Sequence, residues 1–594
     1  GTSCGGGGLV VGMPSTMKNT VKNTVKNTVK NTVKNTVKNT MKNTMMSTMM
    51  NTPLGVKTLH RFGARHFITS RVGDYDGRQI HWRSYAEIDA NSARLANALT
   101  RLGIVPGDRV GTFMWNSTQH LETYLAVPSL GAVLHTLNCR LSAEHVAYII
   151  NHASDRFLIL DARLIDSFLP VLPLIPDVEH VIVSGGGDDA VAALSDARAV
   201  SYESLLRDTE EAFPWPEPEE NAAAGICYTS GTTGNPKGVA YSQKTTYLHA
   251  LASRSVDSFA VQERDVILML PSMFHANAWG FPYSGWMSGA DMVMPGPHLQ
   301  GPHLRAMIES ARPTLTAMVP TLLGDLLLAD ETAPLDLSCF RAIVSGGSAV
   351  PSSMIEAVRD RWGVPVIQGW GMTETSPMCV LSHPPKDLNG ETETYWRLKS
   401  GRPVPGIEVR VMDDEGRSLE HDGTTVGELQ LKGAWVTGSY INEETDAFTE
   451  DGWLRTGDVG MVDARGYVQL TDRTKDVIKS GGEWISSVDL EDVLLKHESV
   501  AEVAVVAFDD PRWQERPLAI VRSKSDCEGD ALPEQLRSFL MDKVAKFWVP
   551  EYWAVVEDIP KTSVGKMDKK LLREEVAAGR VAIQKHLGFG EVND

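Results

Sequence analysis

Residues 228–238 read Tyr-Thr-Ser-Gly-Thr-Thr-Gly-Asn-Pro-Lys-Gly, and this loop decides how the rest of the chain is interpreted. Its glycines let backbone N–H groups approach an anion, its hydroxyl groups can donate to phosphate oxygens, and its lysine adds a positive charge. The apolar run Ala223–Tyr228 predicts a short buried strand that ends at the loop. The loop therefore predicts a phosphate-binding site, with a surface turn as the alternative. The predicted ligands are Thr229, Ser230, Gly231, Thr232, Thr233 and Lys237.

The spacing of the glycines narrows the kind of phosphate loop. A Walker A loop needs a glycine and a lysine at fixed positions after the first glycine, and neither Gly231 nor Gly234 has them. The Gly-x-Gly-x-x-Gly pattern is also missing from this loop. Instead, the loop closely resembles the phosphate loop of the adenylate-forming superfamily. That superfamily includes acyl-CoA synthetases, adenylation domains of peptide synthetases and beetle luciferases.

Composition places the chain among ordinary globular proteins. With 594 residues it predicts two or three domains, and 42% hydrophobic and 22% charged residues are typical of a soluble fold. No apolar run is long enough for a transmembrane helix. A net charge of −18 argues against nucleic acid as a partner. The six cysteines contain no C-x-x-C pair, which predicts free thiols, a cytoplasmic protein and no zinc site.

The amino-terminal segment differs from the rest. Residues 17–44 repeat the unit Val-Lys-Asn-Thr or Met-Lys-Asn-Thr, and residues 1–57 contain eight lysines and no acid. A four-residue repeat fits no helical period, so we expect residues 1–57 to be a disordered extension. It is interpreted as translated upstream sequence or an artefact, with Met41, Met45 or Met49 as the start. An organelle-targeting peptide is the alternative, although the segment has no arginine.

From residue 58 onward, strands and helices alternate. Ser84–Gly103 has apolar residues at helical spacing between a serine and a glycine, which predicts a capped helix. Strands over Arg109–Trp115 and Val133–Leu137 flank a helix over His120–Leu130, which predicts an α/β fold of layered sheets and helices. The resemblance adds the domain division: a large amino-terminal domain over residues 58–472 and a small mobile α+β domain over residues 473–594.

A second match to the superfamily concerns the acid substrate. The stretch Pro271–Gly280 is similar to the segment beside the family's acyl pocket. The resemblance implies that His275 gates the substrate carboxylate and that Trp279 forms a pocket wall. A buried aromatic turn is the structural alternative. Relatives that activate amino acids have an aspartate at the position of His275, because a desolvated ammonium needs a carboxylate partner. Its absence here argues against an amino-acid substrate.

Further matches predict the nucleotide site. Gly346, Gly347 and Ser348 would let adenine or the acyl carbonyl lie against the backbone. In the family, the residue at Trp370 stacks on adenine, that at Thr373 touches the α-phosphate, and that at Glu374 holds Mg²⁺. Asp458 matches the carboxylate that accepts hydrogen bonds from the ribose hydroxyls. Gly369, Gly371 and Met372 complete the predicted nucleotide contacts, and Thr229 is a second predicted Mg²⁺ ligand.

The carboxyl-terminal segment matches the family's cap. Arg473 would contact the ribose, and Lys475 stands at the hinge where the backbone rotates. Gly481, Gly482 and Trp484 resemble the loop that lines the pantetheine tunnel. Lys566 matches the family's catalytic lysine.

The resemblance covers roughly residues 60–580 and implies an ATP-dependent acyl-CoA ligase. Its substrates would be a carboxylic acid, ATP with Mg²⁺, and coenzyme A. The segments Phe274–Trp279 and Gln368–Glu374 look most like those of bacterial medium- and long-chain fatty acyl-CoA synthetases and their methylthiopropionate-activating relatives.

Several alternatives stay open. In one alternative, the enzyme is a CoA ligase for a short thioether acid or an aryl acid. In another, the chain is a stand-alone adenylation module that loads a carrier protein. A non-enzymatic acyl-adenylate binder is disfavoured because Lys566 and Glu374 are both present. The sequence also leaves a homodimer open.

Overall fold

The computed structural model of the protein describes residues 47–217, 219–229, 235–413, 415–473, 476–480, 483–524, 531–562 and 566–586. The disorder expected for residues 1–46 concerns a segment outside these ranges. Contacts divide the chain into Gly1–Thr52 and Pro53–Asp594, and every element below belongs to the second unit. Its first helix begins at Val56, which is fully buried, so the folded part starts slightly before residue 58.

The first sheet delivers the phosphate loop. Its strands are parallel except for Gly238–Ser242, which pairs in antiparallel fashion with Ala223–Tyr228 on the other side of the loop. The strand before the loop is buried over most of its length, as the apolar run predicted. In spatial order the strands are Ala199–Ser201, His180–Ser184, Phe157–Asp161, Arg109–Phe113, Val133–Thr136, Ala223–Tyr228 and Gly238–Ser242.

The second sheet carries the glycine-rich segments. Its central strands are parallel, and antiparallel strands lie at both edges. Gly346 and Gly369 are opposite each other on neighbouring strands. In spatial order the strands are Arg402–Pro403, Met378–Leu381, Val366–Gly371, Ala342–Gly346, Leu315–Met318, Val266–Leu268, Asp291–Met294, Arg71–Tyr75 and Ile80–Ser84.

Helices accompany these two sheets. Tyr85–Arg101 is the capped helix that the sequence predicted, and it begins with a capping box in which Ser84 and Glu87 bond each other's backbone N–H groups. Tyr85, the first residue of this helix, stacks on the fully buried Trp286 with ring centres 4.0 Å apart. The other α-helices up to residue 398 are Val56–His66, Thr118–Ser129, Ala143–Ala153, Ile165–Phe168, Gly187–Leu194, Tyr202–Arg207, Gln243–Ser253, Phe281–Ser288, Gly301–Ala311, Pro320–Thr332, Ser352–Trp362 and Glu393–Leu398.

Two smaller sheets follow. One is antiparallel and consists of Ile407–Met412, Gly427–Gly433, Leu454–Val462 and Val468–Arg473. The other consists of Glu483–Ile485, Ile478–Ser480, Gln514–Ser523, Tyr552–Val555 and Gln584–Lys585, with Val500–Asp510 also paired to Gln514–Ser523. Helices Ser487–Leu494, Leu532–Leu540 and Lys569–Ala577 accompany this last sheet. It has its own apolar core around Trp553 and Leu536. The fold is thus mixed α/β, with a large amino-terminal domain and a smaller carboxyl-terminal one.

Two composition-based expectations can be compared with the described residues. No helix in the described ranges has the length and apolar character needed to cross a membrane. Every described cysteine is a free thiol, as expected; these are Cys139, Cys227, Cys339 and Cys379.

Candidate functional site

A cavity of about 1540 Å³ brings together residues that are far apart in sequence. The strands Ala223–Tyr228, Ala342–Gly346 and Val366–Gly371 all run toward it, so it lies at the carboxyl ends of parallel strands. Ligands of open α/β sheets typically bind in this place. The predicted site residues that line it are Thr229, Lys237, His275, Trp279, Gly346, Gly347, Ser348, Gly369, Trp370, Gly371, Met372, Thr373, Glu374, Asp458 and Lys566.

The two ends of the phosphate loop are bonded to each other. The Thr229 N–H donates to the Lys237 carbonyl at 2.9 Å, and the Lys237 N–H donates to Thr229 Oγ1 at 3.0 Å. The Lys237 ammonium lies 5.0 Å from the centre of the Tyr440 ring and 3.7 Å from Glu443 Oε2. The loop is therefore closed at its base, with a cation beside it. Ser230, Gly231, Thr232 and Thr233 lie outside the described residues.

Glu374 is a buried carboxylate with one oriented oxygen. It lies on the short 3-10 helix Thr373–Thr375, is only 7% exposed, and accepts a hydrogen bond from the Tyr440 hydroxyl at 2.6 Å. Burial, reinforced by the nearby Glu374 charge, raises the pKa of Tyr440, so this hydroxyl remains a donor at neutral pH. Sequence reasoning missed Tyr440, because no local pattern connects it to a carboxylate 66 positions earlier.

Trp370 and Asp458 form a second oriented pair. The indole N–H of Trp370 donates to Asp458 Oδ2 at 2.8 Å, and both residues are buried. Trp370 lies within the strand Val366–Gly371. Pairing with Met378–Leu381 extends the strand through the glycines. Next to it, a Cβ on Gly346 would come within 2.4 Å of the Gly369 carbonyl, so this close approach of two backbones requires glycine.

A left-handed turn presents His275 and Trp279 to the cavity. Ala276, Asn277, Ala278 and Trp279 all have positive φ angles, between 43° and 58°, although none is glycine. His275 precedes this turn in extended conformation. Burial, together with the charge of Lys566, lowers the pKa of His275 to about 4, so the imidazole is neutral at physiological pH. A neutral imidazole can donate a hydrogen bond to a carboxylate without adding a positive charge.

Lys566 reaches the same cavity from the carboxyl-terminal domain. A Cβ on Gly347 would lie 3.2 Å from the Lys566 Cε and 3.7 Å from its Nζ. Gly347 itself has a φ of +88°, a conformation that glycine adopts without strain. The ammonium thus lies against the backbone of the segment that follows the strand Ala342–Gly346.

The apolar part of the cavity wall was not identified from sequence. It comes from strand ends, a helix and loops, and each contributor looks like an ordinary core residue when read alone. No local pattern marks these residues as a group, because they come from segments that are far apart in sequence. Apolar lining residues include Phe259, Leu270, Met318, Leu322, Val344 and Met378.

Five further predicted residues lie wholly or partly outside the described part of the chain. Lys475, Gly481 and Gly482 lie outside the described residues, and so do the side chains of Arg473 and Trp484. Arg473 is the last residue of the strand Val468–Arg473, and its backbone pairs with that of Asp458 on the neighbouring strand.

The oxygen atoms available at the cavity wall suit a Mg²⁺ ion that takes most of its ligands from a bound substrate. In the described ranges no group of three or more His, Cys, Asp or Glu side chains is arranged to hold a metal ion. Mg²⁺ is typically bound through one or two carboxylates, water and the phosphates of a nucleotide. The buried Glu374 carboxylate and the Thr229 hydroxyl supply oxygen ligands of this kind at the cavity wall.

Two family models and several named relatives match most of this chain. The family model of AMP-binding enzymes matches residues 60–441, and that of the AMP-binding enzyme C-terminal domain matches residues 489–566. A 3-methylmercaptopropionyl-CoA ligase of Ruegeria lacuscaerulensis is 41% identical over 532 residues, which cover 88% of this chain and 97% of the relative. A long-chain-fatty-acid–CoA ligase of Thermus thermophilus is 44% identical over 511 residues, covering 84% and 91%.

A solved structure shows the same fold. The crystal structure of an anthranilate CoA ligase in complex with anthranoyl-AMP superposes with a TM-score of 0.80 and 25% identity, covering 90% of this chain and all of that one. The chain therefore belongs to the family of AMP-binding enzymes. Within that family it is an acid–thiol ligase, the class whose co-substrates are ATP and coenzyme A.

Proposed function

We propose that this enzyme joins a medium- or long-chain fatty acid to coenzyme A through an acyl-adenylate. The observation that carries the proposal is the shared cavity. Its wall combines the cations Lys237 and Lys566 and the carboxylates Glu374 and Asp458 with a set of apolar side chains. A nucleotide and an acyl chain would thus occupy adjoining parts of one space.

The first half-reaction needs positive charge, because the acid carboxylate and the triphosphate repel each other. A carboxylate oxygen attacks the α-phosphorus of ATP. The bond from this phosphorus to the oxygen that bridges to the β-phosphate breaks, and pyrophosphate leaves with the electron pair of that bond. Lys566 and Lys237 would stabilise the charge that develops on the phosphate oxygens. Mg²⁺ on Glu374 and Thr229 would supply further positive charge to the triphosphate. His275 would orient the acid by donating a hydrogen bond to its carboxylate.

Trp370 and Asp458 would hold the nucleoside. The indole face offers adenine a stacking surface, while its N–H group fixes one carboxylate oxygen of Asp458. An oriented carboxylate suits the two adjacent hydroxyls of a ribose. The same pair would therefore position both halves of adenosine.

The second half-reaction needs access for a thiol. The sulfur of coenzyme A attacks the acyl carbon, the bond from that carbon to the phosphate oxygen breaks, and AMP leaves. Lys566 lies beside Gly347, so a movement of the carboxyl-terminal domain would open this part of the cavity to a thiol. Rotation at Lys475 would withdraw Lys566 and bring the Gly481–Gly482 segment to the cavity, a domain motion of the hinge kind.

The apolar wall favours a fatty acid as the substrate. The described cavity-lining residues between Pro271 and Gly280 include no carboxylate that could pair with the ammonium of an amino acid. A short thioether acid is the second candidate, because a relative 41% identical is named a 3-methylmercaptopropionyl-CoA ligase. Trp279 faces the cavity and would shorten the space available to a chain.

A panel of acids tests the proposal. Pyrophosphate release is measured with straight-chain acids of graded length, 3-(methylthio)propionate and benzoate, each with and without coenzyme A, and thioesters are identified by mass spectrometry. We expect the highest kcat/KM with medium- or long-chain acids, and thioester only when coenzyme A is present. The highest value with 3-(methylthio)propionate would replace the fatty acid by the thioether. Pyrophosphate release without any thioester would instead favour the loading of a carrier protein.

The variant Trp279→Ala sharpens the same test. Removing the indole enlarges the cavity, so the preferred acid should become longer. Trp362→Phe, whose side chain does not line the cavity, is the control and should keep the preference of the unaltered enzyme. An unchanged chain-length profile in Trp279→Ala would remove Trp279 from the acyl site.

A further inference from the structure

The helix Ser352–Trp362 has no side-chain cap from its own segment. Its N-cap residue is Pro351, which makes no side-chain hydrogen bond, and its first turn contains no acidic residue. The first N–H groups of a helix need acceptors from elsewhere. Here the acceptor is Asp492, whose Oδ1 receives the Ser352 N–H at 2.8 Å. The Ser352 hydroxyl lies 3.1 Å from each oxygen of the same carboxylate.

Asp492 comes from a different domain. It lies on the helix Ser487–Leu494, which follows the predicted hinge, whereas Ser352 follows a strand of the large second sheet. At the start of the helix Ser487–Leu494 the roles of the two domains are reversed, because a serine of this helix donates to a carboxylate of the large domain. The Ser487 N–H and hydroxyl donate to Asp472 Oδ2 at 2.9 and 2.6 Å, and Asp472 lies on a strand before the hinge. The helix Ser487–Leu494 is thus bonded across the domain boundary near both of its ends.

The Asp492 contact lies close to the point where Lys566 enters the cavity. Lys566 lies against Gly347, and Ser352 is five positions further along the same segment. Both contacts therefore depend on the same placement of the carboxyl-terminal domain. We propose that the bonds from Ser352 to Asp492 form a latch that holds this domain in the orientation that delivers Lys566. The latch rests on the proposed function, since it matters only if the domain changes orientation between the two half-reactions.

Asp492 is therefore a positioning residue for adenylate formation and does not touch the reacting atoms. Rotation that withdraws Lys566 would also break the latch and leave the helix Ser352–Trp362 without its acceptor. A side-chain cap typically changes the equilibrium that depends on it by about two- to thirty-fold. The negative charge of Asp492 adds to the effect, because it faces the positive end of the helix dipole.

The first test separates the two half-reactions. Pyrophosphate formation from acid and ATP, and thioester formation from supplied acyl-adenylate, are measured for Asp492→Ala. We expect the first rate to fall about two- to thirty-fold while the second is unchanged or faster. Asp492→Asn, which keeps an oxygen acceptor, should recover part of the loss. Glu498→Ala removes an exposed carboxylate of the same domain and should match the unaltered enzyme.

The result distinguishes the latch from the proposed function. If the unaltered enzyme releases no pyrophosphate with any acid, the proposed function fails. If the unaltered enzyme is active and Asp492→Ala slows both half-reactions equally, or neither, the latch is overturned.

A cross-link tests the contact between residues 352 and 492 without an activity measurement. In the double variant Ser352→Cys/Asp492→Cys, oxidation should join the two residues, and mass spectrometry of a digest should detect the linked peptides. The cross-linked enzyme should still form acyl-adenylate but no thioester, and a reductant should restore thioester formation. Absence of the linked peptides would show that the two residues do not meet in solution and would overturn the proposal. A cross-linked enzyme that forms thioester at the full rate would do the same.

Discussion

The carboxylates of the cavity are oriented by neighbouring donors. Tyr440 donates to Glu374, and the Trp370 indole donates to Asp458. A donor that fixes one oxygen lowers the cost of ordering the carboxylate when a ligand binds. The sequence could predict Glu374 and Asp458 from their motifs. It could not predict Tyr440 or the bond between Trp370 and Asp458, because these contacts join segments 66 and 88 positions apart.

Lys566 supports a prediction at the scale of a single residue. Replacing it by alanine removes one cation from the phosphate site, so pyrophosphate formation should fall about 10²- to 10³-fold. Thioester formation from supplied acyl-adenylate should be nearly unchanged, because that step needs Lys566 withdrawn. Both rates are measured by single-turnover kinetics. Lys546→Ala, at an exposed position of the same domain, is the control. Equal losses in the two half-reactions of Lys566→Ala would contradict the assignment.

At the scale of secondary structure, local patterns predicted the elements more reliably than their ends. The helix from Tyr85 was predictable because its capping box lies within four consecutive residues. The strand Val366–Gly371 continues through two glycines, because an antiparallel neighbour pairs with Trp370 and Gly371. The left-handed turn after His275 was not predictable, since alanine and tryptophan rarely adopt positive φ. Tertiary packing imposes both features.

The end of the strand Val366–Gly371 gives a prediction at this scale. A Cβ on Gly371 would lie 2.0 Å from the Pro377 carbonyl oxygen, so Gly371→Ala must push apart two paired strands. We expect a stability loss of about 1–3 kcal/mol and weaker ATP binding, because Thr373 and Glu374 follow directly. Thermal unfolding and calorimetry measure the two effects. Gly301→Ala, whose Cβ would meet only Ala329 at 3.7 Å, is the control. Matching midpoints for the two variants would contradict the predicted clash.

At the scale of the whole molecule, several buried groups are held in their neutral forms. Burial lowers the pKa values of His120 and His249 to about 4, and burial with the Lys566 charge does the same for His275. The unfolded chain binds these protons near pH 6.5, so stability is lost as the pH falls from about 6.5 towards 4. Glu122 opposes this trend. Burial raises its pKa to about 7, so its contribution is lost as the pH rises from 4.5 to 7.

His249 allows this pH dependence to be tested away from the reacting atoms. Its Nε2 accepts the Met378 N–H at 3.2 Å, which requires a neutral ring. His249→Gln retains an acceptor but does not titrate. We therefore expect the variant to lose less stability than the unaltered enzyme between pH 6.5 and pH 4. Thermal midpoints at a series of pH values measure the difference. Parallel curves for the two proteins would show that His249 is not responsible.

The left-handed turn from Ala276 to Trp279 affects both the stability of the fold and the size of the cavity. Each left-handed residue other than glycine costs roughly 1–2 kcal/mol, although asparagine tolerates the conformation better. Glycine at these positions would relieve that cost and, at position 279, would also remove a wall of the cavity. Selection for a more stable fold and selection for a cavity of fixed size therefore act in opposite directions at position 279. A lineage that changes its preferred acid could gain thermal tolerance in the same step.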